Sequence, residues 1–231
     1  MLEQNTGQIV SNSPEIIQFS YGIEQANTYL IIEDKHAVVI DTCSASVAAE
    51  ITNRRLIPDY IFLTHEHVDH LWGLNAVRNM FPYVEVISQK ECSVAIQNPK
   101  TNKASQYRIY AALRYGKDYR NTEAENRTYT CRPADVEFTD SYELLWRGHR
   151  ILVLHTPGHS PGSCMIFLDD IIAFSGDTIL NEEIFLKFDG GDEKQFSIIT
   201  VPIINGIRDD TLILPGHGKL FVKRDWKKRY G

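Results

Sequence analysis

The chain has 231 residues, 43% of them hydrophobic and 23% charged, with a net charge of −6. This composition is ordinary for a soluble globular protein that can bury a sizeable core. No apolar run reaches the about 18 residues that a transmembrane helix needs, and the start, MLEQNTGQIVSNSPE, lacks the basic and apolar regions of a signal peptide. We therefore expect a cytoplasmic protein without membrane association, in which the four cysteines are reduced thiols.

The charged residues are unevenly distributed. Residues 98–132 carry eight Lys or Arg and three acidic residues, and residues 219–231 carry six against one. Because the rest of the chain is acidic, nucleic-acid binding is not expected. The tail is expected to be a solvated, frayed terminus, whereas the basic 98–132 segment suggests local binding of an anion.

Short apolar, β-prone runs separated by polar turns predict strands in the first half of the chain. Helical spacing predicts helices at 44–55, with Ser44 as the N-cap, from Leu71 onward, and at 89–97. The predicted strands are 15–20, 27–33, 36–41, 60–64 and 83–88. The 98–132 segment begins with a helical pattern, SQYRIYAALRYG, and is weakly patterned after it.

The second half of the chain has strand patterns at short intervals, which indicates an antiparallel sheet. A helix is predicted around 192–201. The predicted strands are 142–146, 149–156, 163–169, 170–176 and 211–216. Strands and helices in the first half, followed by strands and a helix in the second, predict two packed sheets with helices outside, in one domain over 1–231.

The run THEHVDH, residues 64–70, places three histidines and two carboxylates between a predicted strand and a predicted helix. This is where α/β folds commonly place their chemistry. His65 and His67 are separated by one residue, so on an extended loop both imidazoles lie on the same side and can share one metal ion. Asp69 and His70 follow directly and offer a carboxylate and a third imidazole.

Three later segments place a metal-binding residue type on a loop after an apolar strand. His159 lies in LHTPGHSPGS, Asp177 in AFSGDTI and His217 in LILPGHG. His149 and His155 lack such a glycine turn and are interpreted as structural. Singly, each candidate has an explanation as a loop or turn residue, but packing does not explain seven candidate ligands that all lie at strand ends.

The segments NTYLI, VVIDT, THEHVDH, TPGHSPGS, FSGDT and PGHG occur in this order. They resemble the metallo-β-lactamase-fold hydrolases, and within them the glyoxalase II (hydroxyacylglutathione hydrolase) branch. The resemblance covers residues 16–220. It implies an α/β (α+β) protein with the four-layer αββα sandwich of the metallo-β-lactamase fold.

The resemblance also implies a role for each candidate. By position, the first metal ion would be held by His65, His67 and His159, the second by Asp69, His70 and His217, with Asp177 as the bridge. Asp41, in VVIDT, is expected to support the ligand loop without touching metal. Imidazole and carboxylate ligands without thiolate suit two divalent ions, with zinc expected first and iron or manganese as alternatives.

The expected function is that of a binuclear metal-dependent hydrolase, in which a metal-bound hydroxide attacks a thioester or ester. Asp69 would orient the hydroxide and move a proton. Asp177 argues against antibiotic hydrolysis, because metallo-β-lactamases proper generally lack the bridging aspartate. One alternative is a mononuclear iron dioxygenase acting on persulfides through His65, His159 and Asp177. A lactonase or phosphodiesterase of the same fold, and a non-catalytic binding protein, are further alternatives.

Substrate selectivity is predicted to come from residues near the metal centre. Trp72 follows the histidine loop and is expected either to line the pocket or to pack in the core. On a helix, Tyr107, Tyr110 and Arg114 would share one face. That face suits a small anionic substrate, such as a coenzyme A or carrier-type thioester. The alternative is that the 98–132 segment is a solvated helix or a subunit contact in a homodimer.

Overall fold

A computed structural model describes residues 2–7, 14–22, 24–115, 126–181, 184, 186, 187 and 189–226, with side chains from residue 14 onward apart from those of residues 114 and 115. The strands in the described part of the chain form two sheets. The first sheet contains Leu2–Gly7 (β1), Glu15–Tyr21 (β2), Ala26–Glu33 (β3), His36–Ile40 (β4), Ile57–Phe62 (β5), Glu85–Gln89 (β6) and Val136–Phe138 (β7). Strands β1 to β4 pair antiparallel, and β4 to β7 pair parallel.

The second sheet has the strand order β13-β12-β11-β10-β9-β8. Its strands are Ser141–Trp146 (β8), His149–His155 (β9), Cys164–Leu168 (β10), Ile172–Gly176 (β11), Leu212–Pro215 (β12) and Phe221–Val222 (β13). Strands β11 and β12 pair parallel, and the other neighbours pair antiparallel.

Helices connect the strands on the outer faces of both sheets. The first half contains Val47–Asn53 (α1), Leu74–Met80 (α2), Lys90–Ala95 (α3) and Ala104–Tyr115 (α4). Between β11 and β12, three consecutive helical segments follow one another: Glu193–Gln195 (α5), a π-helical turn Phe196–Thr200, and Val201–Gly206 (α6). Short 3₁₀ turns lie at Val68–His70 and Lys223–Asp225.

The two sheets pack face to face. Tyr29 and Phe62 of the first sheet meet Ile151 and Phe174 of the second in one buried cluster between the sheets. Neighbouring strand residues such as Leu30 belong to a second cluster under α1 to α4, and a third cluster lies under α5 and α6. Strands buried on both faces are apolar nearly throughout, which is why the sequence shows continuous hydrophobic runs. The predicted αββα sandwich is confirmed.

Both sheets contribute loops to the same edge of the sandwich. Cys164 N donates to Thr64 O at 2.7 Å, and Asn27 N donates to Gly216 O at 2.8 Å. Strands β4 and β5 of the first sheet and β9, β11 and β12 of the second end at this edge. The loops after these five strands contain the seven predicted ligands and Asp41.

The strands that the sequence did not predict are short or polar. Strands β7 and β13 have three and two residues, too few to show an alternation, and β1 has the polar sequence LEQNTG. The second sheet is not wholly antiparallel as predicted, because the helical crossover between β11 and β12 makes that pair parallel. The predicted frayed tail is also wrong in part: β13 pairs with β12, and Trp226 Nε1 donates to Leu180 O at 3.0 Å.

Several helix boundaries differ from the prediction. Helix α1 begins after Ser46 instead of Ser44, and Ser44 Oγ accepts a bond from Ser46 N at 3.3 Å. Helix α2 begins at Leu74 because the 3₁₀ turn Val68–His70 intervenes. The helix predicted around 192–201 continues to Gly206. That the chain forms one domain stays a prediction.

Within the described part of the chain, no helix combines the length and the apolar character that crossing a bilayer requires.

Candidate metal centre

The seven predicted ligands lie on four loops at the shared edge of the sandwich. Their positions follow from the strand ends: His65, His67, Asp69 and His70 follow β5, His159 follows β9, Asp177 follows β11 and His217 follows β12. The 3₁₀ turn Val68–His70 bends the first loop, so that one short segment supplies ligands in two directions. The structure therefore brings together residues that are up to 152 positions apart.

Three groups of three residues could each hold a metal ion, and one of them, His65, His70 and Asp177, takes one histidine from each of the other two. The ligand atoms of His65, His67 and His159, here called the first triad, lie within 4.8 Å of one another. The same holds for Asp69, His70 and His217, the second triad. Within the triads, His67 Nδ1 lies 3.1 Å from His159 Nε2, and His70 Nε2 lies 3.2 Å from His217 Nε2.

The Asp177 carboxylate lies between the two triads. Its Oδ2 is 3.6 Å from His159 Nε2 and 3.4 Å from His217 Nε2. Its Oδ1 is 3.6 Å from His70 Nε2. One carboxylate therefore reaches a histidine of each triad.

Two glycines allow this close approach of the loops. A Cβ on Gly216 would lie 2.3 Å from Asp177 Oδ1 and 2.8 Å from His70 Cε1. Gly176 has a φ of +49°, in the left-handed region, and its Cβ would lie 2.6 Å from the Thr64 side chain. The glycines of the SGD and PGHG segments are thus required by the packing of the site.

Asp41 supports the histidine loop from below. Its backbone adopts a φ of +56°, a strained conformation for a non-glycine residue. Its buried carboxylate accepts hydrogen bonds from Thr64 N at 2.8 Å, from Thr64 Oγ1 at 2.6 Å and from His70 Nδ1 at 2.8 Å. The carboxylate therefore fixes both the start of the loop and the orientation of one imidazole.

These hydrogen bonds determine which ring nitrogens carry a lone pair toward the centre. Because carboxylate and carbonyl oxygens only accept, His70 Nδ1 donates to Asp41, and His217 Nδ1 donates to Glu24 O at 2.9 Å. Thr64 gives its hydroxyl hydrogen to Asp41 and so accepts from His65 Nδ1 at 3.1 Å. The Nε2 atoms of all three histidines thus face the centre as potential ligand atoms.

The geometry of the site suits bound cations. Two imidazole lone pairs that face each other at 3.2 Å, on His70 and His217, repel unless a positive charge lies between them. In addition, His65 Nε2 and Asp177 Oδ1 are buried and have no hydrogen-bond partner among the described residues. A divalent ion at each triad would satisfy these atoms.

The electrostatics of the first triad favour neutral imidazoles. Burial, reinforced by the neighbouring histidines, holds the pKa of His65 well below its usual range. Burial and the adjacent His159 lower the pKa of His67 to about 3. Both rings therefore keep a lone pair available for a metal at neutral pH.

The two carboxylates of the centre remain ionised. Burial alone would raise the pKa of Asp69, but the hydrogen bond from His217 and the charge of His70 outweigh it and bring the pKa to about 2. The same histidines outweigh burial at Asp177 and hold its pKa well below the usual value. Burial opposes a charge on His70 and His217, but Asp41 and Asp177 raise the pKa of His70, and Asp177 and Asp69 raise the pKa of His217. These shifts reflect the negative charge of the buried carboxylates, which a bound cation would balance.

Two supporting residues were not predicted from the sequence. Glu66, within THEHVDH, is buried and accepts bonds from Ser160 Oγ at 2.9 Å and Gly162 N at 3.4 Å, which joins the first loop to the His159 loop. Glu24 contributes its backbone carbonyl to His217. The position of Glu66 between two ligands was an available clue, whereas a backbone carbonyl leaves no trace in the sequence.

The predicted substrate residues have different environments. Trp72 is buried, and its ring packs against Tyr107 and Tyr129 at centroid distances of 5.7 and 5.0 Å. Tyr107 is buried on α4, whereas Tyr110 is 46% exposed, so the two do not form one exposed aromatic surface as expected. The side chain of Arg114 lies outside the described residues. A role of these four residues in substrate binding stays a prediction.

The fold and the site together define a class: αββα proteins that bind divalent metal ions through histidines and aspartates at the edge of two sheets. The family model of the metallo-beta-lactamase superfamily matches residues 21–217, so the chain belongs to that superfamily. The resemblance noted from the sequence is confirmed. The general activity of this superfamily is metal-dependent hydrolysis.

Known relatives cover most of the chain. A probable metallo-hydrolase of Streptococcus pyogenes is 29% identical over 199 residues, which cover 84% of this chain and 77% of the relative. A hydroxyacylglutathione hydrolase of Hamiltonella defensa is 25% identical over 185 residues, which cover 80% of this chain and 58% of that enzyme. Among solved structures, the B3 metallo-beta-lactamase BLEG-1 has a TM-score of 0.75 at 28% identity and covers 90% of this chain and 94% of its own.

Proposed function

We propose that the protein is a binuclear metal-dependent hydrolase that cleaves a thioester or ester bond in a small anionic substrate. The observation that supports this most directly is the Asp177 carboxylate, which reaches His159 of the first triad and His217 of the second. A carboxylate between two three-residue sets suits a pair of ions better than one ion. We expect zinc first, with iron or manganese as alternatives.

When bound, the two ions would supply Lewis acidity toward the substrate carbonyl and an activated water. The residues of the chain determine the direction of substrate approach and provide the acceptor for the proton. Asp69 and His217 are the partly exposed members of the second triad, at 14% and 20% of their side-chain surface, so substrate approaches from their side. The ionised Asp69 carboxylate can orient the attacking water and accept its proton.

A cysteine nucleophile is disfavoured. The four cysteines are buried, and burial raises the pKa of the thiols of Cys43, Cys92, Cys131 and Cys164. Because the thiolate is the reactive form of cysteine, these side chains are expected to be inert. The reaction is therefore assigned to water.

Metal stoichiometry tests the binuclear proposal. We expect about two ions per chain after loading with zinc, iron or manganese, measured by elemental analysis of the desalted protein. His217→Ala should keep the first ion and lose most of the second. His149→Ala is the matched control. His149 Nδ1 lies 2.7 Å from Asp169 Oδ2, and this pair is not part of either triad. One iron per chain, unchanged in His217→Ala, would contradict the proposal and favour the persulfide dioxygenase.

A substrate panel tests the reaction class. Thioesters, esters, a lactone, a phosphodiester and a persulfide are assayed with and without oxygen, and we expect thioester or ester hydrolysis in both atmospheres. Turnover that strictly requires oxygen would contradict a hydrolase. Asp177→Ala, which removes the bridging carboxylate, should abolish the hydrolysis.

A second candidate is hydrolysis of a β-lactam amide. The 28% identity to a B3 metallo-beta-lactamase over 90% of the chain favours it. A β-lactam such as a cephalosporin therefore belongs in the same panel. A kcat/KM for the β-lactam above that for every ester and thioester would replace the leading proposal with this one.

A further inference from the structure

The buried part of the 98–132 segment is hydrogen-bonded to the loops that carry the second triad. The Asn102 carbonyl, just before α4, accepts a bond from Val68 N at 2.9 Å, and Val68 lies between His67 of the first triad and Asp69 of the second. The buried Asn102 side chain donates through Nδ2 to Tyr129 O at 2.9 Å. Asn102 therefore joins the beginning and the end of the segment beside the ligand loop.

Tyr129 contacts the same loop just after His70. Its hydroxyl donates to Leu71 O at 2.6 Å, and the side chain is buried. The neighbouring carbonyl, His70 O, accepts a hydrogen bond from Thr42 N at 2.9 Å. The backbone on the C-terminal side of His70 is thus fixed by the loop after β4 on one side and by the segment on the other.

Tyr107 reaches the third member of the second triad through Glu24. Its hydroxyl donates to Glu24 Oε1, and both side chains are buried. The carbonyl of the same Glu24 accepts the Nδ1 hydrogen of His217 at 2.9 Å. The phenol therefore holds the loop whose carbonyl sets the rotation of the His217 ring.

Trp72 holds the two tyrosines in place. Its ring meets both tyrosine rings edge to face, an arrangement that stabilises aromatic pairs beyond simple burial. Its Nε1 is buried without a hydrogen-bond partner among the described residues, so the ring is placed by packing. Trp72, Tyr107 and Tyr129 thus form one aromatic cluster under the second triad.

The first triad is supported by different residues. The His159 loop is joined to the histidine loop by Glu66, which accepts from Ser160 Oγ and Gly162 N. His65 is oriented by Thr64. The hydroxyls of Tyr107 and Tyr129 instead bond Glu24 and Leu71.

We propose that Tyr107 and Tyr129 are positioning residues for the second metal ion, and that the 98–132 segment acts on the metal centre through them. This inference rests on the proposed binuclear function. Each hydroxyl fixes a backbone segment adjoining one ligand of the second triad. Loss of a group that hydrogen-bonds directly to a metal ligand typically lowers metal affinity about 10- to 100-fold, and these hydroxyls act one contact further from the ligands.

The test compares the two sites within one protein. Metal-free wild type, Tyr107→Phe and Tyr129→Phe are titrated with Co²⁺, followed by visible absorption and calorimetry. Phenylalanine keeps the ring that packs against Trp72 and removes the hydroxyl alone. The binding step missing in His217→Ala identifies the second site, and the step missing in His159→Ala identifies the first. Tyr110→Phe, an exposed tyrosine on the same helix, is the matched control.

We expect each variant to raise the Kd of the second site about ten-fold and to leave the first site and the Tyr110→Phe control within about two-fold of wild type. If wild type binds two Co²⁺ ions and both tyrosine variants bind them with unchanged affinity, this inference is overturned and the binuclear function stands. Equal weakening of both sites would also overturn it, because a general loss of structure acts on both. A wild type that binds one Co²⁺ would overturn the binuclear function and this inference with it.

Discussion

The Asp41 carboxylate accepts a hydrogen bond from His70 Nδ1 at 2.8 Å, and both side chains are fully buried. Because the carboxylate takes the Nδ1 hydrogen, His70 presents the Nε2 lone pair to the second triad. The same carboxylate accepts both donors of Thr64, whose hydroxyl in turn orients His65. One residue at the end of β4 therefore sets the tautomers of a histidine in each triad.

Asp41→Asn is expected to lower metal affinity although its shape is unchanged. The amide can donate to His70 Nδ1, which moves the imidazole hydrogen to Nε2 and removes the lone pair that a metal would bind. We expect the Zn²⁺ affinity of the second site to fall about 10- to 100-fold, measured by competition with a chelating dye. The control is Asp59→Asn, which breaks a comparable bond to His36 at the opposite end of β4. Wild-type affinity in Asp41→Asn would show that the carboxylate does not set the tautomer.

Gly216→Ala is expected to disrupt the centre through one methyl group. The new Cβ would lie 2.3 Å from Asp177 Oδ1 and 2.8 Å from His70 Cε1, so one of these ligands must move. We expect loss of at least one bound ion and of hydrolysis, measured by elemental analysis and assay of the same sample. Gly206→Ala is the control, because a Cβ there would meet no described atom within 4 Å outside its own helix and chain neighbours. Full metal content in Gly216→Ala would mean that the loops can separate without cost.

The ligand residues could be predicted because their types and positions are explicit in the sequence. Apolar runs marked the ends of the strands, and His65, His159 and His217 stand just beyond such ends. The sandwich could be predicted for the same reason, since strands buried on both faces give long apolar runs. Strand β13 could not, because two residues show no periodicity.

The supporting contacts could not be predicted because they join distant positions, and some of them use backbone groups that all residues share. Tyr107 and Glu24 are 83 positions apart, and the bond to His217 uses a backbone carbonyl. The different exposure of Tyr107 and Tyr110 was not predicted, for a related reason. Helical spacing places both residues near one face, but Trp72 covers Tyr107 and leaves Tyr110 exposed.

Asp135 is expected to make stability depend on pH. Burial acts to raise its pKa, but bonds from Val86 N and Arg78 outweigh burial and lower it. A carboxylate with a lowered folded pKa stabilises the protein above its unfolded pKa, about 3.9, and this contribution is lost as the pH falls through the folded value. We therefore expect Asp135→Asn to be less stable than wild type by about 1–2 kcal/mol at pH 7.

Urea unfolding of wild type and Asp135→Asn between pH 7 and pH 3 measures this effect. The difference between their free energies of unfolding should shrink as the pH falls below about 4. Asp209→Asn, at an exposed aspartate, is the control and should follow wild type at every pH. A difference that stays constant with pH would show that the loss comes from packing of the amide and not from the charge.

Asp69→Asn is expected to separate catalysis from substrate binding. The neutral amide cannot accept a proton from the attacking water, so kcat should fall about 100-fold or more. Because the loss is confined to the transition state, KM should change little. Metal content is measured in the same sample, since Asp69 also belongs to the second triad. Equal loss of kcat and of the second ion would assign Asp69 a ligand role without a separate part in proton transfer.

Arg114→Ala tests the anionic substrate. Arg114 lies in α4 within the basic 98–132 segment, and a guanidinium there would attract a substrate carboxylate or phosphate. We expect KM for an anionic thioester to rise about ten-fold, equivalent to about 1.4 kcal/mol, with a neutral model ester little affected. Arg147→Ala is the control. Arg147 lies on the turn after β8, where it forms an ion pair with Asp34 away from the triads. If both substrates respond alike, or neither responds, Arg114 does not recognise the substrate charge.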